Sequence, residues 1–212
     1  MHKSFPDPDL ALSLLPHVFD RRDGAHDEAH LLRVWKNVEN IMAQEGGDIE
    51  LLLAATLLHD CIWVDKASPE RRLASRYAAR KAGKVLSGMG WKAGRIEQVC
   101  HAIEAHSFSA AIEPASLEAR ILQDADRLDA IGFIGVARCM HLAGARGVSI
   151  YQPGDPAAAV RPLDDRSYAL DHFQTKLLTL GSGFRTRVGR ELAAVRAARL
   201  RAFYDGLLAE IG

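Results

Sequence analysis

Residues 51–58 read Leu-Leu-Leu-Ala-Ala-Thr-Leu-Leu, and the chain then turns abruptly polar at His59-Asp60. A run that apolar belongs inside a core, and it carries the two polar side chains at its end to the edge of that core. Burying an imidazole and a carboxylate without partners is costly, so the fold must supply something that satisfies them. Partners are on offer at His26 and His30 ahead of the run, and at Asp124, Asp126 and Asp129 behind it. A set such as His30, His59, Asp60 and Asp126 brings two imidazoles and two carboxylates together. That donor set suits a divalent metal ion, whose charge the two carboxylates neutralise.

The rest of the sequence is compatible with a core of that kind. The 212 residues are 48% hydrophobic and 25% charged, the composition of an ordinary globular chain long enough to bury a substantial interior. The 27 basic and 27 acidic residues cancel, which argues against a surface that coats nucleic acid. No apolar run approaches the roughly 20 residues of a membrane span, and the opening Met1-His2-Lys3-Ser4-Phe5-Pro6 has no signal-peptide core. The three cysteines, Cys61, Cys100 and Cys139, are odd in number and form no CxxC pair. They read as reduced core thiols of a cytoplasmic protein.

Helical periodicity dominates. Leu31, Val34, Trp35, Val38, Ile41 and Met42 form an amphipathic stripe over 27–45. Gly46-Gly47 ends it and Asp48 can cap the next helix, which runs to His59. Ser68-Pro69 predicts a helix start, with Ser68 as cap and Pro69 at the first position, continuing to about Ser87. A further helix is expected from Lys92 to about Ala105; a segment from Leu117 runs through Asp126, and helical pattern resumes until Leu142, ended by Gly144 and Gly147. Residues 148–166 read as a loop, either an ordered flap over the substrate or a mobile segment. Two helices, roughly 166–180 and 184–210, close the chain. The expected architecture is all-α, a single domain with a motif-bearing core at about 20–145 and a C-terminal helical extension.

Helix geometry places His30 and Arg33, three apart, on one face, and Asp126 and Asp129 on another. His30 can then hold a metal while Arg33 points at what the metal binds.

His30-Leu31-Leu32-Arg33-Val34, Leu57-Leu58-His59-Asp60 and Ala125-Asp126-Arg127-Leu128 together resemble the HD-domain metal-dependent phosphohydrolase superfamily. Ser107-Phe108-Ser109, Gln123 to Arg138, and Asp171-His172-Phe173 with Lys176-Leu177 extend the likeness to a small bacterial single-domain subgroup. The resemblance implies an all-α fold with His30, His59, Asp60 and Asp126 as metal ligands. It prefers Asp126 over Asp124 and Asp129 for its Ala-Asp-Arg-Leu context, and His30 over His26 for the Leu-Leu-Arg-Val that follows. Some members carry a Glu-Asp dyad after the pair. Here the chain reads Cys61-Ile62-Trp63-Val64-Asp65-Lys66, so Asp65 and Lys66 stand in as catalytic candidates beside Asp60.

Four protein ligands leave positions for water and substrate around a six-coordinate ion, which suits manganese first, then magnesium, cobalt, nickel or iron. One ion is expected. A polyphosphate would need further cations or donors; Arg33, Lys66, His106, Arg127 and Arg138 are the candidates. The implied activity is hydrolysis of a nucleotide, foremost a nucleoside or deoxynucleoside triphosphate cut to release pyrophosphate. The alternatives are a phosphatase acting on nucleoside monophosphates and a non-catalytic nucleotide or metal sensor. The expected partner is a small nucleotide, with no nucleic acid or membrane, in a monomer or homodimer.

Overall fold

The structure, a computed structural model, describes residues 2–19, 27–64, 68–107 and 110–212. Among them there is no β-strand; a lone bridge joins Ser149 to Tyr168. The chain divides into two compact units, Met1–Asp126 and Arg127–Gly212.

The first unit is built around the apolar run. It forms helix α3, Ile49–Leu58, capped by Asp48, whose carboxylate accepts from the Leu51 N–H at 3.0 Å. Every residue from Leu51 to Leu58 is at most 1% exposed. A helix hydrophobic all round must be surrounded. It is: α1 (Pro8–Leu14), α2 (Glu28–Glu45), α4 (Ala74–Gly88) and α5 (Ala93–His106) all pack on it. Helix α1 was not anticipated, although Asp7 caps it with Pro8 in its first turn, a legible start signal. Gly46 ends α2 at a φ of 77°, a conformation glycine adopts freely. Ser68 does cap a helix start, accepting from the Glu70 N–H at 3.1 Å, but Pro69–Leu73 winds as a 3-10 turn before α4 proper begins.

The segment from Leu117 and the helical pattern that resumes to Leu142 are two helices, α6 (Leu117–Asp129) and α7 (Gly132–Ala145). At the break Gly132 sits at φ +71°, and Gly135, having no Cβ, lets α7 start close against the Ala130 carbonyl.

In the second unit α7 packs on the long α9 (Arg187–Ile211), with the short α8 (Ala169–Thr175) beside α7. Residues 148–166 are irregular but tied down. Asp155 accepts backbone N–H groups from Ala159, Val160 and Arg161 at 2.8, 3.0 and 3.1 Å. Arg161 grips the fully buried Asp171 through two hydrogen bonds, 2.6 and 2.7 Å, and lies over the Tyr168 ring. The segment is anchored at Asp155 and Arg161.

Candidate metal centre

Four elements of the first unit deliver side chains to one point. His30 stands in the first turn of α2, where Asp27 caps the helix by accepting from the His30 N–H at 3.0 Å. His59 is the cap residue at the end of α3, and Asp60 begins the turn that follows. Asp126 lies on α6, and His106 is the last residue of α5.

The ring atoms His30 Nε2 and His59 Nε2 are 3.3 Å apart. Asp126 Oδ1 stands 3.7 Å from the first and 3.8 Å from the second, and Asp60 Oδ2 is 3.6 Å from His59 Nε2. His30, His59 and Asp60 can each point one ligand atom at a shared ion. The geometry separates the competing aspartates. Asp124 is fully buried, and the buried Asp129 is paired with Arg138; it is Asp126 that reaches both imidazoles. His26 lies outside the described residues.

The protonation pattern fits a cation. His59 Nδ1–H donates to the Thr56 carbonyl at 2.7 Å, which leaves Nε2 its lone pair. Burial pushes the His59 pKa down to about 4, against the pull of Asp60 and with the help of His106, so the ring is neutral near pH 7. One proton shared between the two ring nitrogens would satisfy that pair alone. The Asp60 and Asp126 carboxylates each stand within 3.8 Å of His59 Nε2. These are donors that a divalent ion could take up, with neighbouring ligands of a six-coordinate ion about 3 Å apart.

His106 extends the cluster. Its Nδ1–H donates to the Ile103 carbonyl at 2.6 Å, and its Nε2 is 3.7 Å from Asp60 Oδ1. Burial alone would lower its pKa, but the carboxylates of Asp60 and Asp126 outweigh burial and raise it. A small recess of about 10 Å³, lined by Val18, Phe19, His30, Leu31, Leu57 and Asp60, opens beside the cluster.

The other residues singled out in the sequence fall as follows. Arg33 lies one turn along α2 from His30 and is half-buried. Arg127 donates to the Gly183 carbonyl at 3.1 Å. Arg138 donates to the Asp129 carboxylate at 2.8 Å and to its carbonyl at 3.2 Å. Asp65 and Lys66 lie outside the described residues. Because Asp129 is 1% exposed, Arg138→Met is expected to cost about 1.5–3 kcal/mol in urea unfolding, the loss of a hydrogen bond to a buried charged group. Unchanged stability with a raised KM would instead put Arg138 on the substrate.

Sequence reading missed three contacts around the site. Lys81 on α4 donates to the Cys61 carbonyl at 2.8 Å, holding the turn after Asp60. Asn37 Nδ2 donates to the Ala125 carbonyl at 2.9 Å, and Gln123 Nε2 to the Ala105 carbonyl at 2.6 Å.

The chain is similar to known proteins over most of its length. The HD domain family model matches residues 28–131. YpgQ, an uncharacterized protein of Bacillus subtilis (strain 168), is 37% identical over 183 residues, 84% of this chain and 81% of that protein. Its crystal structure in complex with ADP aligns at a TM-score of 0.68 and 29% identity, over 95% of this chain and 92% of that one. A Lactobacillus plantarum protein aligns at 0.74 and 31% identity, and an HD-superfamily hydrolase from Bacillus thuringiensis at 0.70 and 28%; each covers 95% of both chains.

Proposed function

This chain belongs to the HD-domain superfamily of hydrolases, and from that membership we propose that it is a divalent-metal-dependent phosphohydrolase of nucleotides. Its favoured substrates are nucleoside or deoxynucleoside triphosphates, cut between the α and β phosphates. The observation that carries the reading is the gathering of the His30 ring nitrogen and the Asp60 and Asp126 carboxylates within 3.8 Å of His59 Nε2. Those four residues would hold the ion, manganese foremost. A divalent ion bound there supplies Lewis acidity toward a phosphoryl group and makes water acidic enough to attack near neutral pH.

The chain's own residues do the rest. The Thr56 carbonyl fixes the His59 ring and its tautomer, as an outer hydrogen bond does for a ligating imidazole. His106, beside Asp60 and with a raised pKa, can orient that carboxylate and donate a hydrogen bond to a phosphoryl oxygen. Arg33 sits one turn from His30 and supplies positive charge for the distal phosphates. The nucleotide assignment draws on the ADP complex of YpgQ.

Arg33→Ala is expected to raise KM for triphosphates about tenfold with kcat little changed, the loss of one charge-assisted contact. Steady-state kinetics check it, and unchanged parameters would remove Arg33 from the pocket. The scissile bond is tested by turnover in ¹⁸O-water followed by ³¹P NMR. The proposal predicts pyrophosphate as product. Orthophosphate from monophosphates would make the protein a nucleotidase, and binding without turnover would make it a sensor.

A further inference from the structure

Two buried amides sit behind the candidate metal centre, and each grips the backbone immediately before one of its residues. Asn37 is 3% exposed and donates to the carbonyl of Ala125, next to Asp126. Gln123 is 2% exposed and donates to the carbonyl of Ala105, next to His106. The first bond joins α2 to α6 and the second joins α6 to α5, all within the first unit. Asn37 lies two turns beyond His30 on the same face of α2, so the bond that holds α6 starts from the helix that carries His30. It sets the register of Asp126 against His30, whose facing atoms are 3.7 Å apart.

Gln123 meets a carbonyl in the last turn of α5, where helix geometry leaves acceptors open, whereas Asn37 is not needed to satisfy the carbonyl it holds. The Ala125 carbonyl lies four residues before Asp129, within helix geometry that already gives it an N–H partner. For Gln123 there is a cost on the other side of the account: its Oε1 is buried with no hydrogen-bond partner among the described residues. A core position that keeps an unmatched acceptor calls for an explanation, and the bond made by its Nε2 offers one.

We propose that Asn37 and Gln123 are positioning residues of the metal centre, Asn37 acting through Asp126 and Gln123 through His106. The inference rests on the reading of His30, His59, Asp60 and Asp126 as metal ligands.

The test is Mn²⁺ binding to the full chain, followed by electron paramagnetic resonance. Asn37→Leu keeps the volume and removes the donor. It is expected to retain a cooperative melt while its Mn²⁺ Kd rises about 10–100-fold, the usual effect of losing support behind a ligand. Combined with Asp126→Asn, it should weaken binding no further than Asp126→Asn alone. If Asn37→Leu fails to fold, Asn37→Ser carries the same expectation, because its hydroxyl is too short to reach the carbonyl. Gln123→Leu should shift the His106 ring resonance in the NMR spectrum of the metal-free chain and leave that of the exposed His141 in place. Wild-type Mn²⁺ affinity in the folded Asn37 variant overturns its role, and an unmoved His106 resonance overturns that of Gln123. Failure of the wild-type chain to bind Mn²⁺ at all, or undiminished binding by Asp126→Asn alone, would instead overturn the metal reading itself.

Discussion

Asp60→Ala is expected to abolish metal-dependent turnover, by about a thousandfold or more, while the far-ultraviolet circular dichroism stays that of the parent chain. The magnitude follows from the several kcal/mol that a bound ion contributes to a phosphoryl-transfer barrier. The unchanged helicity follows from position. Asp60 lies past the last residue of α3 and its side chain is 37% exposed, so it contributes nothing to the apolar packing that holds that helix. Metal affinity should fall in parallel, since one of two neutralising carboxylates is gone. His59→Ala makes an instructive contrast. That ring is fully buried beneath the cluster, so its loss should cost stability as well as activity. An Asp60→Ala variant with full turnover and undiminished metal binding would remove Asp60 from the site.

Removing the metal is expected to lower the thermal midpoint of the unit that contains the site, and adding it back to restore it. A ligand that binds only the folded state stabilises by about 4 kcal/mol at a thousand times its Kd. For a chain of this size that corresponds to roughly 8–16 °C. The physical source is plain: the His30 ring nitrogen and the Asp60 and Asp126 carboxylates all crowd within 3.8 Å of His59 Nε2. In His59→Ala the metal-dependent increment should vanish. Calorimetry of the chelated, reconstituted and variant proteins checks all three statements. A helical scaffold with an accidental polar cluster would melt at one temperature in all metal conditions.

How far the residues disclosed these features depended on the range of the forces involved. Helix α3 was legible because an unbroken apolar run ended by His-Asp can only be internal, and all eight of its residues from Leu51 to Leu58 are buried. The caps at Asp48 and Ser68 were legible because capping is a contact between near neighbours. The interruption between α6 and α7 was legible but its place at Ala130-Ile131 was not, since those residues continue the apolar pattern and the turn relies on Gly132 at φ +71°. The anchoring of 148–166 hid for a different reason. Its grip comes from Arg161 on Asp171, a pairing the two prolines and glycine of that segment did not suggest. At the site, the His30, His59, Asp60 and Asp126 set was readable as residue types in order. Asn37, Gln123 and Lys81 were not, because each acts on a backbone carbonyl that sequence pattern does not mark.

The first experiment to perform is a turnover assay on nucleoside and deoxynucleoside triphosphates, with the protein stripped by chelation and then given manganese, magnesium, cobalt or nickel. Monophosphate and pyrophosphate should appear on re-addition of metal, manganese foremost, and not before. Silence across the panel with metal still tightly bound, or turnover indifferent to chelation, would contradict the assignment of this centre as a metal-dependent nucleotide hydrolase.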